Sequence, residues 1–478
     1  MDSKILIFLG FLICASCCFS AVSANFVFRI QRDVPGGEQA HLQGRILGDS
    51  NIRMEPLSRN HDLKYRRLYA KVWIGTPSRL YNMRIEMASE FSWLYCADCE
   101  DCPEKNKFGI PLTPYDPSAS MSSSLVNCAD QFCTSIYNLT NCRPSLVCYY
   151  RIDYGKKYSI DGYFVKDRVT LERYSGIETL YDNLIFGCVA RWHIQKTISK
   201  PKPKSKSDSD SGSGSDPDEL DGVLGFGKGK SSIINQLAAD GMVKKMFSHC
   251  INKEGAGILA IGEVVQPIVN TTQMVANRTH YSVIVTQLTV GSQSLNLTGN
   301  GTVSARPREG IIGSSQPLNL TGNASVSARP GEAIIDSGTA LVYLPDYLYS
   351  QVILAVHTMV GDHDTMNRNP CIMLHENKPI SAFPDITFYF GDKLTLTVPP
   401  RDYLSKSGLN WCVLWQNGGT ETNPSAFILG EMALANKLVL YDLEKQVIGW
   451  TEQDCNLGVQ VKDIPSGIAD QVSPTTFG

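Results

Sequence analysis

Histidine is scarce in this sequence, eight in 478 residues, and no His-Glu-x-x-His pattern is present. That excludes the common zinc-hydrolase arrangement, in which two imidazoles one helical turn apart hold the metal. No Gly-x-Ser-x-Gly occurs, so the sharp nucleophile turn of many serine hydrolases is missing as well. The stretch Gly225-Phe226-Gly227-Lys228-Gly229-Lys230-Ser231 is no phosphate loop, because Leu224 stands where the first glycine is required. Charge of either sign is not in excess: 44 Lys and Arg face 47 Asp and Glu, for a net charge of −3. Nothing in that balance points to nucleic acid, and no single-sign field steers a charged substrate. Beyond the N-terminus no apolar run is long enough to cross a bilayer.

The N-terminus has the form of a secretory signal. Lys4 precedes an apolar run from Ile5 to Phe19, and Val22-Ser23-Ala24 offers small residues for cleavage after Ala24. Cys14, Cys17 and Cys18 lie within it. The other cysteines are an even dozen: 96, 99, 102, 128, 133, 142, 148, 188, 250, 371, 412 and 455. In a secreted chain that reads as disulfides. Cys96-x-x-Cys99-x-x-Cys102 lacks the histidine or second Cys-x-x-Cys of a zinc site, so no metal is expected. Seven Asn-x-Ser/Thr sites, at Asn138, Asn270, Asn277, Asn296, Asn300, Asn319 and Asn323, argue for a glycosylated surface. The expected location is secreted, extracellular or endomembrane. The tail from 459 to 478 is polar and carries no apolar anchor signal.

Residues 25–66 are polar and basic, without periodicity, and read as a prosegment or an N-terminal arm. From Leu68 the chain breaks into short β-type runs separated by Gly, Pro and Asn, among them 69–74, 183–187, 258–262, 281–285 and 437–442. A mainly β protein follows. Helical patterns are few: Ser232 to Asp240, and Pro345 to Met359. Lys196 to Glu219 is a Lys/Pro/Ser block followed by a Ser/Asp/Gly block, too poor in apolar residues to fold, and is expected to be a disordered surface loop. Leu295-Asn296-Leu297-Thr298-Gly299-Asn300 recurs at Leu318 to Asn323, and Val303 to Pro307 recurs at Val326 to Pro330. The shared offset marks a tandem duplication over about 291–335. Its first copy ends at Ile312-Gly313-Ser314, where the second ends at Ile335-Asp336-Ser337.

That second ending carries the chemistry. Ala333 to Leu341 is an apolar strand entering a turn, with one carboxylate at Asp336 followed by Ser337, Gly338 and Thr339. Ile428-Leu429-Gly430 follows about 90 residues later. Earlier in the chain, Arg84-Ile85-Glu86-Met87-Ala88-Ser89 has the same frame, and Asp221 to Gly227 again supplies an apolar-apolar-Gly strand. An acid turn followed by an apolar-apolar-Gly strand, twice over, suggests two related β lobes.

These segments resemble the pepsin-like aspartic endopeptidases, and in particular their plant nepenthesin-like branch. The likeness runs from about Leu68 to Cys455 and includes Tyr69 to Pro77, the cysteine-rich insert 96–148, Phe247-Ser248-His249-Cys250 and Lys437 to Trp450. It implies a bilobal pepsin-like fold with an N-terminal lobe over 67–265 and a C-terminal lobe over 266–458. It implies a monomer with an extended peptide or protein in the cleft between the lobes, and no cofactor. It also implies the disulfides Cys96–Cys99, Cys102–Cys188, Cys128–Cys148, Cys133–Cys142, Cys250–Cys455 and Cys371–Cys412.

The family reaction uses two carboxylates that share one proton, because two like charges so close cannot both ionise. One activates water and the other protonates the peptide carbonyl. Asp336 fits one position and Glu86 the other, with Ser89, Ser337, Gly338 and Thr339 in support. Thr339 is expected to grip across the lobes, and Met87 has no hydroxyl to answer it. Glu86 carries one carbon more than Asp, which displaces its carboxylate by up to about 1.5 Å. A misplacement of roughly 1 Å can cost about 100-fold in rate. Ala88 adds a β-carbon where the family has glycine. The flap hairpin keeps Tyr154 and Gly155, but Lys156 and Lys157 replace its tip. The sequence therefore supports an aspartic endopeptidase with impaired or lost activity. The alternatives are a non-catalytic pseudopeptidase that binds protein or acts as an inhibitor, and a glycoprotein with no cleft function.

Overall fold

A computed structural model describes residues 26–32 and 68–471, apart from short breaks and longer gaps that include 195–219, 298–330, 362–369 and 419–426. The putting-together of the chain follows its alternating patterns. Leu68–Ile74 pairs antiparallel with Arg79–Glu86, and the apolar residues at 68, 70, 72 and 74 face inward while Lys71 faces out. A 14-stranded sheet carries the N-terminal half and continues into a platform shared by both halves. In the platform Met246–Ile251 lies between Gly257–Ile261 and Lys437–Asp442. Met246–Ile251 is buried along its whole length, as a strand covered on both faces must be. The C-terminal half adds four- and five-stranded sheets of its own. The architecture is mainly β and bilobal, with few helices, as the strand pattern implies.

The longer helices fall where the sequence punctuates them. Ile233–Ala239 is capped by Ser232, whose Oγ accepts from Asn235 N, and Asp346–Met359 begins after Pro345. Asp221 fastens the start of the Gly222–Gly225 strand, accepting from the backbone N–H of Asn82 and of Thr113 at 2.7 Å each.

Several features differ from the sequence-based expectation. Phe26–Arg32, expected in a prosegment or arm, forms a strand between Gly257–Ile261 and Leu68–Ile74. Gln460–Lys462 and Ala469–Gln471, expected in a polar tail, join Val264–Gln266 in a three-stranded sheet. The cysteine framework also needs correction. Cys96 pairs with Cys188, Cys99 with Cys102, and Cys133 with Cys148. Trp93–Glu100 runs parallel to Glu178–Ile194 with Leu94 opposite Cys188, so the buried Cys96 sits beside Cys188 and cannot reach out to the partly exposed Cys99. Cys99 and Cys102 then close on each other across the turn at Asp101, and Cys148 is taken by Cys133 on the Gln131–Tyr137 helix. Cys128 is disulfide-bonded too, and Cys142 lies outside the described residues. Cys250–Cys455 and Cys371–Cys412 are the pairs that the resemblance implied. The sulfurs of Cys96 and Cys188 lie close to Asp98, and they are joined to each other in one disulfide. The signal segment 1–24, the charged loop 196–219, and Asn138, Asn300, Asn319 and Asn323 lie outside the described residues.

Candidate active site

Two strands deliver the two acids by the same construction. Arg79–Glu86 runs parallel to Gly222–Gly225 with Glu86 opposite Gly225, and Glu332–Asp336 runs parallel to Ile428–Gly430 with Asp336 opposite Gly430. The two glycines are required for close approach. A β-carbon on Gly225 would lie 2.5 Å from Phe91 O and 2.9 Å from Ser89 O. One on Gly430 would lie 2.2 Å from Leu341 O and 2.4 Å from Thr339 O. In both halves the crowding carbonyls belong to the residues three and five past the acid. The same residues along the two turns, 86–90 and 336–340, are buried or half-buried. This is an internal two-fold repeat, and it brings the acids together. A β-carbon on Gly338 would meet Glu86 Oε1 at 2.9 Å and Asp336 Oδ1 at 3.1 Å, so the two oxygens lie within about 6 Å of each other.

The surroundings of the two acids are unlike. Asp336 Oδ1 accepts from the Gly338 N–H at 3.0 Å, and Oδ2 accepts from the Thr339 hydroxyl at 2.7 Å. Thr339 therefore serves its own acid; the expected grip across the lobes is not the bond it makes with that proton. In the other half, the single hydroxyl proton of Ser89 goes to Phe91 O at 2.8 Å. Glu86 Oε2 instead faces Arg84 Nη2 at 3.5 Å, with both side chains about nine-tenths buried. Residues two apart on a strand share a face, which is why Arg84 can reach Glu86. Its counterpart two residues before Asp336 is Ile334. Met87 and Ser337 are both buried, and the Met87 side chain is part of the main core.

Beneath the acids lies an aromatic stack. Phe247 and Tyr441 are face to face with ring centroids 4.4 Å apart, Tyr281 packs edge-on to Tyr441, and His249 Nε2 is 3.4 Å from Tyr441 Oη. Burial drives the His249 imidazole down to about 3, so it is neutral across the ordinary pH range. Tyr281 Oη donates to Phe226 O at 2.6 Å, and Phe226 N donates to Glu86 O at 2.9 Å. That chain ties the C-terminal half to the acid turn of the N-terminal half. Its two flanks carry half-buried basic side chains. Lys228 lies two residues past Phe226, and burial lowers its ammonium below the usual range. His280 precedes Tyr281 and is lowered by burial first; Glu86 opposes that shift and Lys228 adds to it.

Sequence reasoning placed Glu86, Asp336, Ser89, Ser337, Gly338 and Thr339, and all lie at this junction. It missed Arg84, Lys228 and His280. Arg84 was legible in principle, because a cation inside an apolar strand frame needs a partner. The hairpin of Tyr149–Tyr154 and Tyr158–Glu172 is present, with Tyr154 opposite Tyr158. The Tyr154 side chain and residues 155–157 lie outside the described residues.

The family models that match are those described as xylanase inhibitor N-terminal, over residues 69–263, and xylanase inhibitor C-terminal, over residues 280–452. The chain belongs to the pepsin-like aspartic-protease superfamily, on its xylanase-inhibitor branch. This overturns the nepenthesin-like placement read from the sequence. Among curated relatives the chain is 34% identical to aspartic proteinase 36 of Arabidopsis thaliana, covering 94% of this chain and 88% of the relative. It is 33% identical to aspartic proteinase 39 of the same plant, covering 93% and 88%. Among solved structures the fold resembles basic 7S globulin from soybean, with a TM-score of 0.57 at 13% identity, covering 90% of this chain and 96% of that one. Conglutin gamma from lupine seeds gives the same TM-score at 14% identity, covering 90% of this chain and 96% of that one.

Proposed function

We propose that this chain is a secreted, glycosylated pseudopeptidase that keeps the inter-lobe cleft of its superfamily for binding an extended polypeptide and does not hydrolyse it at a useful rate. The observation that carries this reading is the Arg84–Glu86 ion pair. Two carboxylates at this separation need one positive charge near them. In the peptidase reaction that charge is a shared proton, which moves during catalysis. Arg84 supplies a fixed positive charge instead, and a guanidinium does not give up a proton in a protein. It also draws Oε2 along its own strand, on top of the displacement that the longer glutamate side chain causes. Ser89, committed to Phe91 O, does not offset that pull with its proton.

Support comes from three further directions. The matching family models are those described as xylanase inhibitor N-terminal and C-terminal. The scaffold glycines under both acid turns are retained, which keeps the cleft floor intact. Asn270, Asn277 and Asn296 are exposed, as acceptors of glycan must be. No helix among the described residues is long and apolar enough to cross a membrane.

A specific observation favours a second reading. The carboxylates still meet at Gly338, and curated relatives at 34% and 33% identity bear the name aspartic proteinase. A slow peptidase using Glu86 and Asp336 fits those facts. Digestion of an unfolded protein at acid pH separates the two. No cleavage above the Asp336→Ala background supports the pseudopeptidase. Robust cleavage that Asp336→Ala abolishes supports the peptidase.

A further inference from the structure

The basic groups flanking the acid junction come from opposite halves of the molecule. Lys228 follows the Gly222–Gly225 strand of the N-terminal half, and His280 precedes the Ser282–Ile284 strand of the C-terminal half. The Tyr281 hydroxyl on Phe226 O, at 2.6 Å, fixes their two segments side by side. Both side chains are half-buried, and each is close enough for the Lys228 charge to act on the His280 ring. Among the described residues the Lys228 ammonium has no carboxylate in ion-pair range and no hydrogen-bond acceptor; only its carbonyl is used, by Asn235. Two of the nearby carboxylates are already engaged: Glu86 faces Arg84, and Asp336 is held by Gly338 and Thr339. The third, Glu90, packs against Gly229, where burial raises it above the usual carboxylate range.

A partly desolvated ammonium without a counter-charge is unfavourable unless a ligand supplies one. We infer that the cleft selects an acidic side chain of the bound polypeptide, its carboxylate received by Lys228 from one lobe and by the His280 ring from the other. This rests on the cleft-binding reading above and narrows it: the partner segment carries an aspartate or glutamate at the residue that crosses the acid junction. The Arg84–Glu86 pair is part of the same arrangement, because it offsets the charge of one of the two acids at the junction; the other, Asp336, is held by Gly338 and Thr339.

The test uses the full secreted protein and two labelled peptides of identical extended sequence, one with a central run of glutamates and one with glutamines. Affinities are measured by fluorescence anisotropy at pH 7. The glutamate peptide is expected to bind at least about tenfold more tightly, with the preference shrinking as salt is raised. Lys228→Met removes most of the preference and leaves the glutamine peptide's affinity in place, whereas Lys228→Arg retains it. His280→Gln lowers it by a smaller factor. Equal affinity for both peptides, or a preference that survives Lys228→Met combined with His280→Gln, overturns the inference while leaving cleft binding intact. Failure of both peptides to bind counts against the cleft reading itself, and the inference falls with it. Circular dichroism of each variant beside Lys228→Arg separates loss of the site from loss of the fold.

Discussion

The two acid turns share a backbone and differ in their chemistry. Asp336 and Glu86 stand at the ends of equivalent strands, opposite equivalent glycines, with the carbonyls of equivalent residues pressed against those glycines. Yet one acid is dressed by a backbone N–H and a threonine hydroxyl, and the other by an arginine two residues back on its own strand. A fold can therefore bring two carboxylates together by one backbone construction and still give each a different environment. The scaffold is held by packing, where a single β-carbon is costly. The catalytic dressing is held by a few side-chain hydrogen bonds, and these can be exchanged without unfolding the lobe.

The largest expected effect concerns what the two halves have in common. His249, in the platform strand beneath both turns, has its folded pKa depressed to about 3 from 6.5. The unfolded state binds the extra proton first, so stability is full above about pH 6.5 and falls as pH drops toward 3. The loss reaches about 4 kcal/mol at the acid end. Urea unfolding across that range is expected to show it, and His249→Phe is expected to flatten the slope. Because the strand pairs with Lys437–Asp442 of the C-terminal half, a single shared transition is expected.

Next come the glycines. Gly430→Ala and Gly225→Ala force a β-carbon against backbone carbonyls that cannot step aside, and each is expected to cost about 3 kcal/mol in denaturant unfolding. A loss in only one variant would break the claim that the halves are built alike. Smaller is the effect of Arg84→Met, which leaves a buried carboxylate without its counter-charge and is expected to cost about 2 to 3 kcal/mol. Arg84→Ile combined with Glu86→Val is expected to recover most of that loss, since Ile334 already fills the equivalent place in the other half. The smallest contrast is between hydroxyls. Thr339→Val removes a bond to a carboxylate, worth about 2 kcal/mol, and Ser89→Ala removes a bond to a neutral carbonyl, worth about 1 kcal/mol. Thermal unfolding of the two variants side by side reads the difference directly.

Much of this was legible in the sequence. The acid turn at Asp336, its damaged twin at Glu86 and the two apolar-apolar-Gly strands fix the fold, because each is a local pattern whose spacing survives folding. Ser232 and Pro345 mark their helix starts for the same reason. The pairing of Cys96 with Cys188 was not legible, since it depends on which strand lies beside Trp93–Glu100 and on the face each cysteine takes. The strand at Phe26–Arg32 was hidden because its partners lie some 40 and 230 residues away. Lys228 and His280 could not be joined by any sequence rule. Their segments are held together by the Tyr281 hydroxyl, which reaches across to Phe226.

The central claim is that the Glu86 half-site, and not the scaffold, has stopped the chemistry. Its most direct test is acid digestion of an unfolded protein by the parent chain and by a variant restored at four positions, Arg84→Ile, Glu86→Asp, Met87→Thr and Ala88→Gly. The account predicts no cleavage above background by the parent and a rise of at least about 100-fold in the restored chain, abolished when Asp336→Ala is added. Parent cleavage as fast as that of the restored chain, and equally dependent on Asp336, would contradict it.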